Sequence, residues 1–517
     1  MNQKENNVAM KDSGFLDKVL SKIEKAGNKL PDPVTLFIIL SALVVIISAM
    51  CSAAGISAVH PGTGKTITVV NLLSQDGIRM MLNKAVTNFS GFAPLGMVLV
   101  AVIGSGAAEK SGFLAVLMHK VLASAPPAVV TFAILFVGIN GNIAGDSAFV
   151  IMPPLSAIVF LSMGRHPLLG MFVAYAGVAA GFCANIALGL SDALAYGYTE
   201  AAARIIDPTY ATSPAINYYF LFASCIILSF AGTFLTEKFM APRFAGEDIS
   251  KYAFDSDSVN LTAQQKKGLK AAVLSLLIAI LAVVFFCLGD DPLLGDPKTH
   301  SLLAATSPLM GGIVLLVSIL LFIPGAVYGF VSGEYKNDKE LFASVTEAFR
   351  DMAPYILLCF FCAQFTSYFA WSNLGLVLAV KGAEFLKAMN FTGTPLLVGL
   401  IIVSCIINMF IGSASAKWAI LAPVFVPMMM LLNYDPAVSQ VAYRIGDSIT
   451  NPLSPLFYYF PLILGFARRY EKGIGMGTII ANMIPFSFTF AVCWIIQLVV
   501  WTTLNLPLGP GGNIFLK

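Results

Sequence analysis

Long apolar runs alternate with short polar interruptions along this chain. Clear apolar stretches lie near 34–56, 92–108, 126–138, 167–190, 216–236, 271–288, 303–330, 352–371, 395–411 and 475–504. The first is long enough to cross a bilayer as a helix, which takes about 20 residues. Several of the others are compound or interrupted by Gly and Pro. The runs are continuous, so they read as helices and not as the alternating strands of a membrane barrel. Residues 1–33 differ. There Phe15, Leu16, Val19, Leu20, Ile23 and Ala26 recur at helical spacing with Lys18, Lys22 and Lys25 opposite, and Gly27-Asn28 offers a stop. This segment reads either as an amphipathic helix lying on the cytoplasmic face or as a solvated tail. Its apolar run comes too late for a secretory signal.

Composition sharpens the picture. Of 517 residues, 57% are hydrophobic and 11% are charged, against about 25% charged in soluble domains. A water-facing surface cannot be built from so few charges. A cytosolic enzyme, a disordered chain and a disulfide scaffold are excluded, which leaves an all-α polytopic membrane protein. The net charge of +3 is too small to argue for nucleic acid. The cysteines fall almost entirely inside apolar runs and read as core residues. Cys359 and Cys362 form a C-x-x-C, but within a hydrophobic helical pattern and without a second pair or a nearby His. His60, His119, His166 and His300 are scattered away from metal-ligand spacing. Pro61 to Thr66 resembles a phosphate loop but has Val59 where the motif needs Gly.

Lys and Arg set the orientation. The loop 237–270 carries Lys238, Arg243, Lys251, Lys266, Lys267 and Lys270; 289–302 carries only Lys298; 331–351 carries Lys336, Lys339 and Arg350. That order reads inside, outside, inside, with a cytoplasmic N-terminus. The chain then divides into the segment 1–33, a first membrane half at 34–236, a cytoplasmic linker at 237–270 and a second membrane half at 271–517.

The halves share a motif. INGNIAGDSAFVIMPPLSAIVF at 139–160 and INMFIGSASAKWAILAPVFVPMMMLL at 407–432 both start Ile-Asn, pass a Gly/Ser/Ala cluster and run through Pro into an apolar stretch. Each predicts a helical hairpin dipping part way into the membrane, near 139–164 and 407–432. A helix broken by polar residues follows each, through Asn185, Ser191, Asp192 and Tyr196 in one and from Arg444 to Pro455 in the other. The turn after the first hairpin is Gly164-Arg165-His166, which reads as inside. The turn after the second, Asn433 to Pro436, has no Lys or Arg and reads as outside. Two such units of opposite sense form an inverted repeat, the sequence pointer to a transporter's substrate site.

Asp146, Asp192, Arg444 and Asp447 fall at membrane depth. An ionisable group there costs at least about 2.5–3.5 kcal/mol, so each needs a cavity or a partner. Arg444 and Asp447, three apart, share a helix face. They either pair, or line a site together with Ser448, Thr450 and Asn451. Breaks at Asn451-Pro452 and Ser454-Pro455 free backbone carbonyls of the kind that hold sodium. The hairpin tips present helix N-termini, which attract anions. Arg444 fits a carboxylate clamp. Asp192 has no cation beside it in sequence and reads as a proton carrier or as a buried hydrogen-bonded acid. Trp418 is either core or a stacking surface for an aromatic substrate. Asn142, Asn185 and Asn451 join the candidate site from their positions in the repeats. No nucleophile–base set, cofactor motif or metal cluster stands out, so an enzyme is not expected. An ion channel would need a continuous pore, whereas these polar groups gather around two opposed hairpins.

GSGAAEKSGFL, NIAGDSAFVIMPPLSAIVF, SDALAYGYTEAAARIIDPTYATSPAINYYF, SASAKWAILAPVF and YRIGDSITNPLSPLFYYFPL resemble the aminobenzoyl-glutamate transporter (AbgT) family, with similarity from about Pro31 to Pro507. The resemblance implies a homodimer in the bacterial inner membrane, with about nine crossing helices and two re-entrant hairpins per subunit. It implies transport of p-aminobenzoyl-glutamate, an aromatic carboxylate from folate breakdown, or export of sulfonamide-type antimetabolites. A proton or sodium gradient would drive it. The family's cavity residues match Asp192, Ser415, Trp418, Arg444, Asp447 and Pro455 here. Asp192, Asp447 and Asp146 are the candidates for ion coupling.

Overall fold

Backbone amides inside a bilayer find no water, so a chain this apolar must satisfy them within helices. The computed structural model is helical almost throughout. It describes residues 33–59, 65–123, 126, 129–144, 147–245, 249, 252, 261–303, 306–390, 392–455 and 457–516. The expected N-terminal amphipathic segment lies, but for Pro33, outside these residues, as does Asp146.

The first run of elements is α1 (Pro33–Ala53), a two-stranded antiparallel ribbon of β1 (Ser57–Val59) and β2 (Thr66–Thr68), α2 (Gln75–Ser90), α3 (Ala93–Lys110), α4 (Phe113–Ala123), α5 (Val130–Ile139), α6 (Ser147–Ser162), α7 (Pro167–Tyr175), α8 (Leu190–Ala203) and α9 (Tyr218–Leu235). Next comes α10 (Ala263–Phe286). The second run is α11 (Ile313–Ser332), α12 (Asp338–Asp351), α13 (Ala353–Trp371), α14 (Leu374–Ala388), α15 (Thr394–Asn408), α16 (Ala414–Leu431), α17 (Pro436–Thr450), α18 (Phe460–Tyr470) and α19 (Met476–Thr503). Apart from the ribbon, the runs follow one order: long apolar helix, polar-faced helix, long helix, short helix, helix–turn–helix, broken helix, long helix.

Among the described residues, eight helices are long and apolar enough to cross a membrane. The chain is an all-α polytopic membrane protein. Two differences from the sequence reading have physical causes. The stretches at 126–138 and 395–411 are not spans in their own right. They are the first arms, α5 and α15, of helix–turn–helix units whose second arms are α6 and α16. At 1.5 Å per residue, the 15 residues of α15 reach about 22 Å, short of the roughly 30 Å hydrocarbon layer. The polar stretch between the first two apolar runs and the loop read at 331–351 contain helices α2 and α12. These carry enough charge on one face to escape an apolar count, although Asn337 caps α12 and Ser74 caps α2 by accepting backbone N–H bonds.

The runs exchange partners. Polar-faced α2 of the first packs on α13 of the second, where Asn88 donates to Gln364 (3.0 Å) and Gln364 donates to the Ala85 carbonyl (2.9 Å). Polar-faced α12 of the second packs on α3 of the first, with Lys110 between Glu347 and Asp351 at 2.9 Å each. Likewise α1 crosses α13 with Phe37 edge-on to Phe365, and α11 crosses α3.

The α3–α11 crossing depends on missing side chains. Ser318 bonds the Val100 carbonyl and receives the Gly104 N–H, at 2.7 and 2.9 Å. A Cβ on Gly104 would lie 2.0 Å from the Ser318 carbonyl oxygen, and one on Gly325 would lie 2.6 Å from the Ala108 nitrogen. Gly96, on the same α3, has open space. Gly104→Val is therefore expected to lower the melting temperature in detergent, overpacking costing about 1–3 kcal/mol or more. Gly96→Ala should leave it unchanged or raise it, since Ala is the better helix former. Equal melting temperatures for the two variants would contradict this account of the crossing.

Candidate functional site

Helix α17 is the unusual element. Every residue from Pro436 to Ile449 is buried, yet Ser439, Gln440, Arg444, Asp447 and Ser448 lie on it. A helix buried all round normally has no polar face, so each of these groups needs a partner within the protein.

The partners come from the breaks and the hairpin tips. In the first half, α7 passes through a π turn at Ala176–Ala180 and stops at Gly181. The chain restarts as α8 after Gly189, where the Asp192 side chain accepts the Gly189 N–H at 2.8 Å. In the second half, α17 ends in a short turn at Asn451–Leu453, and α18 begins at Phe460. Pro452 and Pro455 prevent a regular helix through the gap. Each tip stitches its own break. Asn142 donates to the carbonyls of Phe182 and Ala184. Asn408 donates to the Asp447 carbonyl (2.6 Å), Thr450 (2.8 Å) and Asn451 (3.0 Å).

Two buried ion pairs result. Arg444 donates to Asp192 at 2.7 Å and to the Cys183 carbonyl at 3.3 Å. The other Asp192 oxygen accepts from Asn185 at 2.8 Å. Lys417 lies 2.5 Å from Asp447 and also donates to Asn408. Arg444 is 2% exposed and Lys417 1%. The sequence option in which Arg444 and Asp447 pair with each other is replaced by these two pairs, and Asp192 has the cation that its neighbours in sequence did not reveal.

A small cavity opens between the halves. Cys183, Ser191 and Tyr198 line it from the first; Ser415, Trp418, Tyr443, Arg444 and Asp447 line it from the second. Trp418 stacks on Tyr443 at 4.5 Å and 16°, and its N–H bonds Thr199 at 2.9 Å. Thr199 in turn donates to Gln440 at 2.7 Å. Ser415 lies 3.2 Å from Ser413. Asn142, Asn185, Asn451 and Pro455 are not on the cavity wall, and Asp192 sits behind it on Arg444. The first two hold the break behind Asp192, Asn451 accepts from Asn408, and Pro455 belongs to the second break.

Lys417, Asn408, Tyr443 and Thr199 are the participants that the sequence reading did not assign. A signal existed for Lys417. A lysine in the apolar run ASAKWAILAPVF must find an anion, and Asp447 is an acid at the same depth.

Comparison with known proteins follows this geometry. Residues 18–516 match the model of the AbgT putative transporter family. The p-aminobenzoyl-glutamate transport protein of Escherichia coli (strain K12) is 37% identical over 496 residues, covering 96% of each chain. The crystal structure of the YdaH transporter of Alcanivorax borkumensis, described as having an unusual topology, is similar at TM-score 0.89 and 40% identity, over 93% of this chain and 100% of that one. MtrF of Neisseria gonorrhoeae, described as illuminating a class of antimetabolite efflux pumps, is similar at TM-score 0.88 and 39% identity, over 96% and 100%.

The ion pairs make a stability prediction. Removing one partner from a buried pair costs about 3–5 kcal/mol, because the other charge is stranded. Asp192→Asn should therefore destabilise strongly, and Asp192→Asn with Arg444→Met by less than the sum of the two single changes. Thermal unfolding of the three variants in detergent checks it, and strict additivity would contradict the pair.

Proposed function

The chain belongs to the AbgT family, whose members are membrane transporters and not enzymes, and we propose that it carries p-aminobenzoyl-glutamate across the bacterial inner membrane, coupled to a proton or sodium gradient. The observation that carries this reading is the Arg444–Asp192 pair, which joins the two halves and presents Arg444 to the cavity between them. The proposed cargo has an aromatic ring and two carboxylates. Arg444 keeps N–H donors beyond those on Asp192 and Cys183, and a planar guanidinium receives a carboxylate bidentately. Asp192 and the Cys183 carbonyl fix its plane. The Trp418–Tyr443 stack gives the ring an apolar surface that is rigid before the cargo arrives. Asp192 holds Arg444, which lines the cavity, and Asp447 lines it while holding Lys417, so a change in either acid's charge alters the charge presented to the cavity. Asp146 stays a third coupling candidate on its position at the first hairpin tip.

The element order supports an inverted repeat with nine crossings. Four fall in the first half: α1, α3, the broken α7–α8 and α9. Four fall in the second: α11, α13, the broken α17–α18 and α19. An even number of crossings returns the chain to its starting side. The single crossing of α10 between the halves is what turns the second copy over. The arms α5–α6 and α15–α16 then enter and leave on one side each as re-entrant hairpins. The basic residues of 237–270 support a cytoplasmic linker and, with an even number of crossings before it, a cytoplasmic N-terminus. On α10, Leu274, Leu277, Leu281 and Phe285 are exposed; they face lipid or a second subunit of the proposed homodimer. Export of sulfonamide-type antimetabolites is the second reading, supported by the likeness to MtrF.

Proteoliposomes test both directions. Labelled p-aminobenzoyl-glutamate should accumulate saturably when a proton or a sodium gradient is imposed, and a sulfonamide preloaded inside should stay; sulfonamide efflux without aminobenzoyl-glutamate uptake would select the second reading. Single-channel conductance in place of saturable uptake would refute a carrier. Asp192→Asn should abolish or uncouple transport, and wild-type accumulation would refute its role. Arg444→Lys should weaken binding at least about tenfold, because an ammonium cannot reproduce the planar fork; an unchanged affinity in a titration would count against the clamp.

A further inference from the structure

The two rings of the cavity's aromatic wall are held by different halves of the chain. Tyr443 is held within the second half, where its hydroxyl donates to the Ala414 carbonyl at 2.5 Å. Trp418 sits on α16 of the second half, but its N–H reaches across to α8 of the first. There it meets the Thr199 hydroxyl at 2.9 Å and the Ala195 carbonyl at 3.2 Å. A buried indole N–H needs such an acceptor. Trp418 is 1% exposed and Thr199 is fully buried. Leu194, Ala195 and Tyr198 of α8 line the cavity, whereas Thr199 does not. Its hydroxyl stands behind the wall and fixes how the indole faces it.

The junction is braced on its far side. The Thr199 oxygen lies 2.7 Å from the Gln440 amide of α17 and 2.8 Å from the Ala195 carbonyl. A hydroxyl has one proton and two lone pairs, so it can accept from Trp418 while its own proton goes to one of the other two groups. Gln440 is fully buried, and its side chain bonds only Thr199 among the described residues. Burying an amide costs free energy unless it is hydrogen-bonded. Apolar packing therefore does not account for Gln440, and holding Thr199 does. The spacing agrees. Asp192 and Thr199 are seven apart on α8, and Gln440 and Arg444 are four apart on α17, so each pair shares a helix face. The two helices are keyed at two points, Asp192 on Arg444 and Thr199 on Gln440, and the second key also carries Trp418. Hydrophobic contact is non-directional; it is these bonds that give the gap between the α8 face and the indole a defined width.

We propose that Thr199 is the positioning residue of the aromatic wall: its hydroxyl, braced by Gln440, orients Trp418 and so sets the selectivity of the cavity for a planar aryl group. The selectivity rests on the transport reading above; the hold on Trp418 does not. Without the hydroxyl, the Trp418 N–H is left with the Ala195 carbonyl alone, and the ring tilts toward it, out of its 16° alignment with Tyr443.

Thr199→Val tests this, because valine keeps the branched shape and loses only the hydroxyl. Purified full-length protein in detergent is titrated with p-aminobenzoyl-glutamate and with cyclohexanecarbonyl-glutamate, which keeps the amide and both carboxylates but has a puckered ring. The wild type should prefer the planar compound. Thr199→Val should weaken binding of the planar compound about three- to tenfold, the range of one net hydrogen bond, and leave the puckered one unchanged. Thr199→Ser should restore the wild-type ratio. A general loosening of the fold would weaken both compounds alike. In a Trp418→Phe background, which lacks the N–H, Thr199→Val should add no further loss. The chain has four tryptophans, so Trp418 emission is read as the difference between each protein and its Trp418→Phe counterpart; Thr199→Val should shift it with no cargo present. A Thr199→Val protein that keeps the wild-type ratio of affinities overturns the proposal, whatever its melting temperature. So does an equal loss in both backgrounds, or an unshifted emission. Should Thr199→Val not fold, Thr199→Ala removes the same hydroxyl with a smaller side chain and takes its place. If neither compound binds the wild type, the transport reading fails, and the emission alone decides whether Thr199 holds Trp418.

Discussion

A guanidinium cannot stay charged inside an apolar assembly unless an anion is brought to it, and here the anion comes from the other half of the chain. Stripping water from each ion costs several kcal/mol, recovered only by close geometry and filled hydrogen bonds. Arg444 and Asp192 meet those terms: 2.7 Å apart, with the Cys183 carbonyl, Asn185 and the Gly189 N–H completing the set. Much else follows from this contact. It fixes where the first helix must break, since an unbroken α7 would not present the Cys183 carbonyl to Arg444. It sets the depth of α17, and so the place at which Asp447 meets Lys417. The cavity exists because two interrupted helices leave room where two continuous ones would pack.

The frame around that contact is built by exchange. Polar-faced α2 rests on the second half and α12 on the first, each through side chains of complementary type, Asn88 with Gln364 and Lys110 with Glu347 and Asp351. At the α3–α11 crossing, Gly104 lets Ser318 bond backbone directly across the interface. These contacts tie the halves together at their outer edges while the centre stays open.

The hydrophobic pattern alone located the long helices, because a bilayer demands about 20 apolar residues and leaves little latitude. It failed where that rule has no force. Helices α2 and α12 are half polar and vanish from an apolar count. The arms α5 and α15 look like spans because composition cannot say whether a short helix crosses or turns back. Arg444, Asp192 and Asp447 were legible as site candidates from the cost of burying charge, but their pairing was not. Local spacing put Arg444 beside Asp447, whereas the contacts run to residues 252 and 30 positions away in the chain. Lys417 was legible as a buried cation in need of an anion, but its sequence neighbours do not choose among the acids at that depth, and only the packing of α16 on α17 selects Asp447.

The reciprocal seating of α2 and α12 also bears on how the polypeptide is made. A ribosome delivers the first half long before Asp338–Asp351 emerges, so the flank of α3 around Lys110 must wait in the membrane without its cover. Neither half can reach its final surface alone. Biogenesis is therefore committed to a late closing step, in which the second half seals the first, and a chain truncated after α10 would leave the translocon with an unfinished edge open to quality-control proteases.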